Sequence, residues 1–176
     1  MSDSTRLTDV MAVARTIPRE WGLVVRHYDT PERALLVREV VRQCRARGVV
    51  VLVAGDARFA KSVGADGVHI PEGLIGMPGS ERSALRGCPL ITASAHGARG
   101  LHKARQIGAE AVLLSPVYAT ASHASARPLG RMRFAAMTRL SGAKVFALGG
   151  VTLRDAHTLR RLGASGIAGI GLIKTV

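Results

Sequence analysis

Aromatic residues, cysteine and long apolar runs are scarce in this chain of 176 residues. Aromatic side chains make up 3% of it, and its two cysteines, Cys44 and Cys88, form no CxxC or Cys/His ligand pattern. Neither a disulfide framework nor a zinc site is therefore expected, and we predict two buried thiols. No apolar run approaches the ~20 residues of a membrane span. The first residues lack the apolar region of a secretion signal, so we expect a cytoplasmic protein.

Acidic residues are also few, since 12 Asp and Glu face 25 Lys and Arg, which gives a formal net charge of +13. In a small protein such a charge suits a polyanionic partner or attracts a phosphorylated substrate. All but four of the basic residues are arginines, and they are scattered along the chain rather than clustered. No nucleic-acid-binding signature accompanies them, and few aromatics are available to stack on bases. We therefore expect a small phosphorylated ligand and no specific nucleic-acid partner.

Short apolar runs rich in Val and Ile recur along the chain. Continuous rather than alternating hydrophobicity is typical of parallel strands that are covered on both faces and joined by helical crossovers. The chain length corresponds to one domain, which we place at residues 1–176. The predicted strands are Leu23–Val25, Val49–Val53, Gly67–Ile70, Leu90–Ala93, Ala111–Leu114, Lys144–Leu148 and Gly166–Ile170.

The segments between these runs are amphipathic. One helix is predicted to begin with Thr30 as its N-cap and Pro31 at its first position, and to stop at Gly48. Three helix ends share a glycine followed by Ala and the next strand, as expected of a C-terminal cap. The other predicted helices are Met11–Pro18, Arg99–Ile107, Met132–Leu140 and Thr152–Leu162, and the shared glycines are Gly64, Gly108 and Gly163.

Seven strand-helix units predict an α/β fold of the TIM-barrel type, a (β/α)₈ barrel that lacks its first strand. Nothing in residues 1–21 indicates a buried strand, so we expect a gap beside the Leu23 strand. An exposed sheet edge there would favour self-association, and a homo-oligomer is one possibility.

In such barrels the functional site lies at the C-terminal ends of the strands, and the last two strands supply phosphate sites. Gly149 and Gly150 follow the sixth predicted strand, and Ile170 and Gly171 end the seventh. Glycines let backbone N–H groups approach an anion closely, so we predict a phosphate-binding site formed by these four residues. The alternative is that they only form tight turns.

Polar residues at the other strand ends are candidates for chemistry. Arg26 ends an apolar strand, where a guanidinium is costly to bury unless it meets an anion. The alternative for Arg26 is a salt bridge to Glu72. His69 and His96 also follow apolar residues and are either catalytic or hydrogen-bonded parts of the core.

A polar stretch from Ala119 to Arg127 is interpreted as a lid over the site that carries Thr120, Ser122 and His123. An ordinary solvated loop is the alternative. Asp56 and Glu72 are the acidic residues near the predicted site. Since one or two carboxylates plus substrate phosphates suffice for Mg²⁺, a metal at Asp56 is possible.

From about Leu23 to its C-terminus, the chain resembles the thiamine phosphate synthases, whose family includes the TenI-type thiazole tautomerases. The synthases join a hydroxymethylpyrimidine pyrophosphate to a thiazole phosphate and release pyrophosphate with the help of Mg²⁺. The resemblance therefore implies a barrel-shaped transferase of thiamine biosynthesis. It is carried by Gly64–Ile70, Ser94–His96, Gly108–Val112, Ser115–Ser122 and Ala147–Val151.

The resemblance also assigns site residues. It implies catalytic roles for Arg26, Ser94, Thr120 and Ser122, with His123 at the place of the family's loop lysine. It further implies that Gly149, Gly150 and the turn at Ile170 and Gly171 bind the thiazole phosphate.

At several matched places this chain has other residues. Ala54 and Gly55 stand where the family has an Asn-Asp pair, and Leu74 falls near its second metal-binding Asp. The tautomerase histidine falls on Pro116. Three functions therefore stay open: a synthase, a non-catalytic relative that binds a phosphorylated ligand as a sensor or partner subunit, and a thiazole tautomerase.

Overall fold

Seven parallel strands follow one another through one sheet in chain order, each hydrogen-bonded to the next. The computed structural model describes residues 1–2, 9–120 and 127–172. The strands are β1 (Gly22–Val25), β2 (Val50–Ala54), β3 (Gly67–Ile70), β4 (Ile91–Ala95), β5 (Ala111–Leu114), β6 (Lys144–Ala147) and β7 (Gly166–Ile167).

Helices connect the strands on one side of the sheet, as the crossover rule requires. Two short 3-10 helices, Glu72–Leu74 and Leu153–Asp155, accompany them. The α-helices are α1 (Val10–Thr16), α2 (Arg33–Ala46), α3 (Ala57–Ser62), α4 (Arg82–Leu85), α5 (Ala98–Gln106), α6 (Gly130–Ser141) and α7 (Ala156–Arg161). The predicted incomplete barrel with seven strands is confirmed, and no eighth strand occurs in the described part of the chain.

The first two residues lie in the gap that we predicted beside β1. The Ser2 amide donates to the Val24 carbonyl at 2.9 Å, and Ser2 forms a parallel bridge with Val25. On the other side, the Met1 amino group donates to the Gly169 carbonyl at 3.3 Å. The gap between β1 and β7 is therefore bridged at the level of these residues.

The two faces of the sheet bury different side chains. Outward residues such as Leu23, Val51 and Val112 pack with the helices in the main apolar core. Inward residues form a second, smaller cluster around Val24 and Leu52. This alternation follows from the two-residue period of a strand, and it turns the polar residues of the same inward rows toward the barrel interior.

Some sequence predictions were wrong in detail. Helix α2 begins at Arg33 and not near Thr30, because Glu32 adopts a left-handed conformation with φ 53° and interrupts the helical path after Pro31. Strand β7 pairs only through Gly166 and Ile167, because the chain then leaves the sheet in a bend.

Other predictions concern buried and helical residues. Cys44 is buried as predicted, but Cys88 is only half-buried in the turn before β4. The end of α3 beside Gly64 was predicted, but its six residues were not delimited, and α4 was missed because four residues are too few to show a helical period. No helix within the described ranges is long and apolar enough to cross a membrane.

Candidate active site

All seven strands are parallel, so their C-terminal ends lie at one edge of the sheet. We call this edge the mouth and define it by the residues that end or directly follow the strands. Because the end of a barrel strand places its side chains beside those of neighbouring strands, a site at the mouth draws residues from distant parts of the chain. The mouth has two sides with different chemistry, described in turn below.

On the β6–β7 side the backbone approaches the loop after β5 closely. Gly149 and Gly150 have φ angles of +89° and +65°. A Cβ on Gly149 would lie 2.8 Å from the Cα of Pro116, and one on Gly150 would overlap the Ala119 carbonyl oxygen. Glycine is therefore required at both positions by conformation and by space.

The carbonyl groups of this turn are used to hold it in place. Leu148 accepts a hydrogen bond from the Val117 amide at 2.9 Å, and Gly149 accepts one from the Tyr118 amide at 3.0 Å. The amides of Gly149, Gly150 and Ile170 donate to no described residue. Backbone donors normally have partners, so these three N–H groups at one edge are candidate donors to an anion.

Three side chains on β3 and β4 form a buried polar cluster inside the barrel. The His69 Nδ1 lies 2.9 Å from the Thr92 hydroxyl, and its Nε2 lies 2.9 Å from the Ser94 hydroxyl. Burial, together with the smaller effects of the charges of Arg26 and of the chain's amino group, lowers the pKa of His69 to about 3. The imidazole is neutral near pH 7, so it orients the half-buried Ser94 rather than carrying charge.

His96 and Glu72 hold the start of α5. The Glu72 carboxylate accepts the His96 amide at 2.7 Å and packs over Gly100, where a Cβ would lie 2.7 Å from its carboxyl carbon. The His96 ring places Nδ1 3.0 Å from the Ser115 carbonyl. A carboxylate at a helix N-terminus is stabilising. The alternative for Arg26, a salt bridge to Glu72, is not among the ion pairs formed by the described residues.

Two arginines surround Tyr28 on the β1–β2 side of the mouth. Arg26 follows β1 and is half-buried, and its guanidinium lies near enough to Tyr28 to act on the pKa of the phenol. Arg33 lies over the same ring, with its guanidinium carbon 5.2 Å from the ring centroid. Burial raises the pKa of Tyr28 although both arginines act to lower it. The phenol is therefore protonated near pH 7 and serves as a neutral partner.

The residues present do not fit a magnesium site. Ala54 and Gly55 at the end of β2 offer no side-chain oxygen. Asp56 caps α3 by accepting the Arg58 amide at 2.6 Å, and its carboxylate packs against Gly79. Within the described ranges, no group of three His, Cys, Asp or Glu side chains could hold a metal ion.

The structure brings some of the predicted site residues together. Arg26 lies near enough to His69 for its positive charge to lower the pKa of the imidazole, and the His69 ring hydrogen-bonds the Ser94 hydroxyl. Thr120 ends the described part of the loop after β5, whereas Ser122 and His123 lie outside the described residues.

Sequence reasoning missed Thr92, Tyr28 and Arg33. Thr92 shares the inward row of β4 with Ser94, so alternation along the strand could have found it. The position of Arg33 at the first turn of α2 gave no such signal.

A cavity of about 720 Å³ lies in the barrel interior and reaches the seam between β1 and β7. It is lined mainly by apolar side chains such as Trp21, Leu52, Leu113 and Phe146. Many of its lining residues begin strands rather than end them, so most of this space lies away from the mouth. The small inward residue Gly22 leaves part of it unfilled, whereas the Phe146 ring occupies the space beside Gly166.

Comparisons with known proteins agree with this geometry. A family model described as thiamine monophosphate synthase matches residues 7–173. A putative thiamine-phosphate synthase 2 of Aquifex aeolicus is 31% identical over 150 residues, covering 84% of this chain and 80% of that protein. A putative thiamine-phosphate synthase of Geobacter sulfurreducens is 36% identical over 156 residues, covering 86% of this chain and 71% of that protein.

Solved structures show the same fold. A thiamine phosphate pyrophosphorylase from Pyrococcus furiosus superposes with a TM-score of 0.73 and 20% identity, covering 92% of this chain and 78% of that one. An HpcH/HpaI aldolase from Desulfitobacterium hafniense superposes with a TM-score of 0.61 and 16% identity, covering 94% of this chain and 83% of that one. At these identities the likeness concerns the barrel architecture alone.

Proposed function

Because the chain belongs to the thiamine monophosphate synthase family, we propose that it acts in thiamine biosynthesis as a thiamine-phosphate synthase. It binds a thiazole phosphate at the mouth and joins it to hydroxymethylpyrimidine pyrophosphate. The names of its relatives from Aquifex aeolicus and Geobacter sulfurreducens support this activity.

The observation that carries the proposal is the set of free amides on the β6–β7 side. The N–H groups of Gly149, Gly150 and Ile170 have no partner among the described residues. Backbone donors fixed in this way bind phosphate oxygens without any rearrangement. Gly171 lies in the same turn and contributes to the same pocket.

The reaction needs positioning and charge more than covalent chemistry by the protein. The bond between the pyrimidine methylene carbon and the pyrophosphate oxygen breaks, and pyrophosphate leaves with the electron pair. The ring nitrogen of the thiazole then forms the new bond to that carbon. Arg26 stabilises the charge on the leaving group, and Ser94, oriented by His69, hydrogen-bonds the pyrimidine.

The family resemblance assigns Thr120, Ser122 and His123 to the departing pyrophosphate, and we propose that role for them. Ser122 and His123 lie outside the described residues. His96, whose ring is held by the Ser115 carbonyl, supports the base of this loop. The family's reaction uses Mg²⁺, but the side chains at the end of β2 do not fit the ion, so no step of this mechanism passes through it.

A non-catalytic relative that binds a phosphorylated ligand is the second candidate. The lack of side-chain oxygens at Ala54 and Gly55 favours it. A thiazole tautomerase is less well supported, because Pro116 stands at the place of its histidine and is packed against Gly149.

One experiment separates these functions. The purified protein is given both phosphorylated substrates, with and without Mg²⁺, and pyrophosphate release is measured beside thiazole-phosphate binding by calorimetry. Pyrophosphate release above that of an Arg26→Ala variant supports the synthase. Binding without release would leave only the non-catalytic relative, and absence of both would contradict the proposed function.

A further inference from the structure

The end of β2 carries a guanidinium where a metal ligand would be expected. Arg33, the first residue of α2, donates from Nη2 to the Ala54 carbonyl at 3.0 Å. Ala54 is the last residue of β2, and Gly55 follows it. A Cβ on Gly55 would lie 3.3 Å from the Tyr28 ring, so a carboxylate side chain has little room there. A fixed positive charge therefore stands at a strand end that lacks negative ligands.

Aromatic rings hold this guanidinium in place. Its carbon lies 4.3 Å from the centroid of Phe59 on α3 and 5.2 Å from that of Tyr28 after β1. Cations over aromatic faces are attracted by the ring, and contacts from three separate elements fix the orientation of Arg33. A side chain ordered before its ligand arrives binds that ligand at a lower entropic cost.

Most donors of Arg33 are unused. Its Nε is buried and has no hydrogen-bond partner among the described residues, and its Nη1 also bonds none of them. The ion pairs formed among the described residues, Arg42–Glu39 and Arg58–Glu81, do not involve Arg33. A buried N–H group without an acceptor is unfavourable, and a ligand oxygen beside it removes that cost.

Carboxylates stand near Arg33 without neutralising it by contact. Burial lowers the pKa of the Arg33 guanidinium, whereas Tyr28, Asp29 and Asp56 raise it. Neither aspartate is paired with Arg33 in the ion pairs formed among the described residues, and Asp56 is engaged in capping α3. The guanidinium keeps its charge and stays available to an anion.

We propose that Arg26 and Arg33 form a clamp around Tyr28 that binds a pyrophosphate group on the β1–β2 side of the mouth without a divalent metal. The inference rests on the proposed function, because it names the ligand group that binds at the same mouth. Two guanidinium groups carry together the charge of one divalent cation, and each matches phosphate oxygens in a planar fork. The chain thus replaces metal ligands on β2 with a cation from α2.

Inorganic pyrophosphate is the probe that tests this clamp. Calorimetry is performed with the full chain in excess EDTA and again in Mg²⁺, with affinities referred to free pyrophosphate. We expect binding in EDTA and an Arg33→Gln variant that binds about tenfold more weakly under both conditions. Arg33→Lys keeps the charge but loses the fork and is expected to fall between the two.

The matched control is Arg38→Gln, which removes the same charge from an exposed position on α2 and should change affinity less than twofold. Thermal unfolding of each variant checks that it folds. If Arg33→Gln does not fold, the affinity of Arg33→Lys decides the outcome. The clamp is overturned if pyrophosphate binds only with Mg²⁺, or if the Arg33 variants bind it as tightly as Arg38→Gln. Thiazole-phosphate binding to the unchanged chain tests the proposed function separately and should survive in the Arg33 variants.

Discussion

The two sides of the mouth offer different kinds of hydrogen-bond donor to the anions that we propose they bind. On the β6–β7 side the donors are amides of Gly149 and Gly150, whose positions follow from the backbone itself. On the β1–β2 side the donors are the side chains of Arg26 and Arg33, which depend on aromatic neighbours for their placement. Backbone donors tolerate no added side chain, whereas arginine donors tolerate small shifts but lose their function with their charge. We therefore expect ligand affinity to be lost through added side-chain bulk on the β6–β7 side and through removal of charge on the β1–β2 side.

The largest effect is expected from Gly150→Ala. The added Cβ would overlap the Ala119 carbonyl and displace the amides, so thiazole-phosphate affinity should fall about 100-fold, equivalent to one or two charged hydrogen bonds. Calorimetry measures this loss. Gly142→Ala is the matched control, since Gly142 has the same φ of +65° but no atom within 4 Å of its would-be Cβ. Equal losses of affinity in both variants would show that backbone strain, not the anion site, is responsible.

Arg26→Gln is expected to weaken pyrophosphate binding about 10- to 30-fold, because it removes a charged donor from the β1–β2 side. Thiazole-phosphate affinity should change less than twofold in the same variant. Calorimetry with the two ligands therefore tests whether the two sides of the mouth bind different ligand groups. Parallel losses for both ligands would mean that the two sides act as one site.

Stability should depend on His69 below neutral pH. The pKa of His69 is lowered to about 3 in the folded chain, below the value of 6.5 in the unfolded one. The unfolded state therefore binds the proton first, and stability present above pH 6.5 is lost as the pH falls toward 3. We expect a loss of about 2 kcal/mol between pH 6.5 and 4.5 from this group.

Denaturant unfolding at several pH values measures that loss. His69→Gln should have a smaller pH slope, while His102→Gln, on the exposed side of α5, should retain the parent slope. An unchanged slope in His69→Gln would show that the imidazole is protonated in the folded state.

The smallest effect is expected from Glu72→Gln. The amide still accepts from the His96 N–H but loses the charge at the start of α5, which should cost about 1 kcal/mol of stability. Glu39→Gln, at an exposed ion pair with Arg42, should cost less. Urea denaturation compares them, and a greater loss for Glu39→Gln would contradict the role given to Glu72.

The sheet could be predicted because its signal is local. Runs such as Val49–Val53 are apolar at consecutive positions, which marks a strand covered on both faces, and the strand boundaries differ by only one or two residues for most strands. The exception is β7, whose length depends on pairing with β6 and on the turn after Ile167. The prediction of one domain over residues 1–176 stays a prediction.

The site was less accessible to sequence reasoning. Gly149 and Gly150 were found because barrel topology fixes where phosphate sites lie. The link between His69 and Thr92 depends on the register of β3 against β4, which no short motif encodes. Arg33 acquires its proposed role from Tyr28, which is near in sequence but across the turn before α2, and from Phe59, which is distant in sequence and approaches it only in the folded chain.

The central claim is that free amides on the β6–β7 side bind a phosphate group. Amide chemical shifts of the ¹⁵N-labelled chain, followed during titration with the thiazole phosphate, test it most directly. We predict saturable shifts of the Gly149, Gly150 and Ile170 amides with no change at Gly142. Saturation of binding without any shift at these three amides would contradict the account.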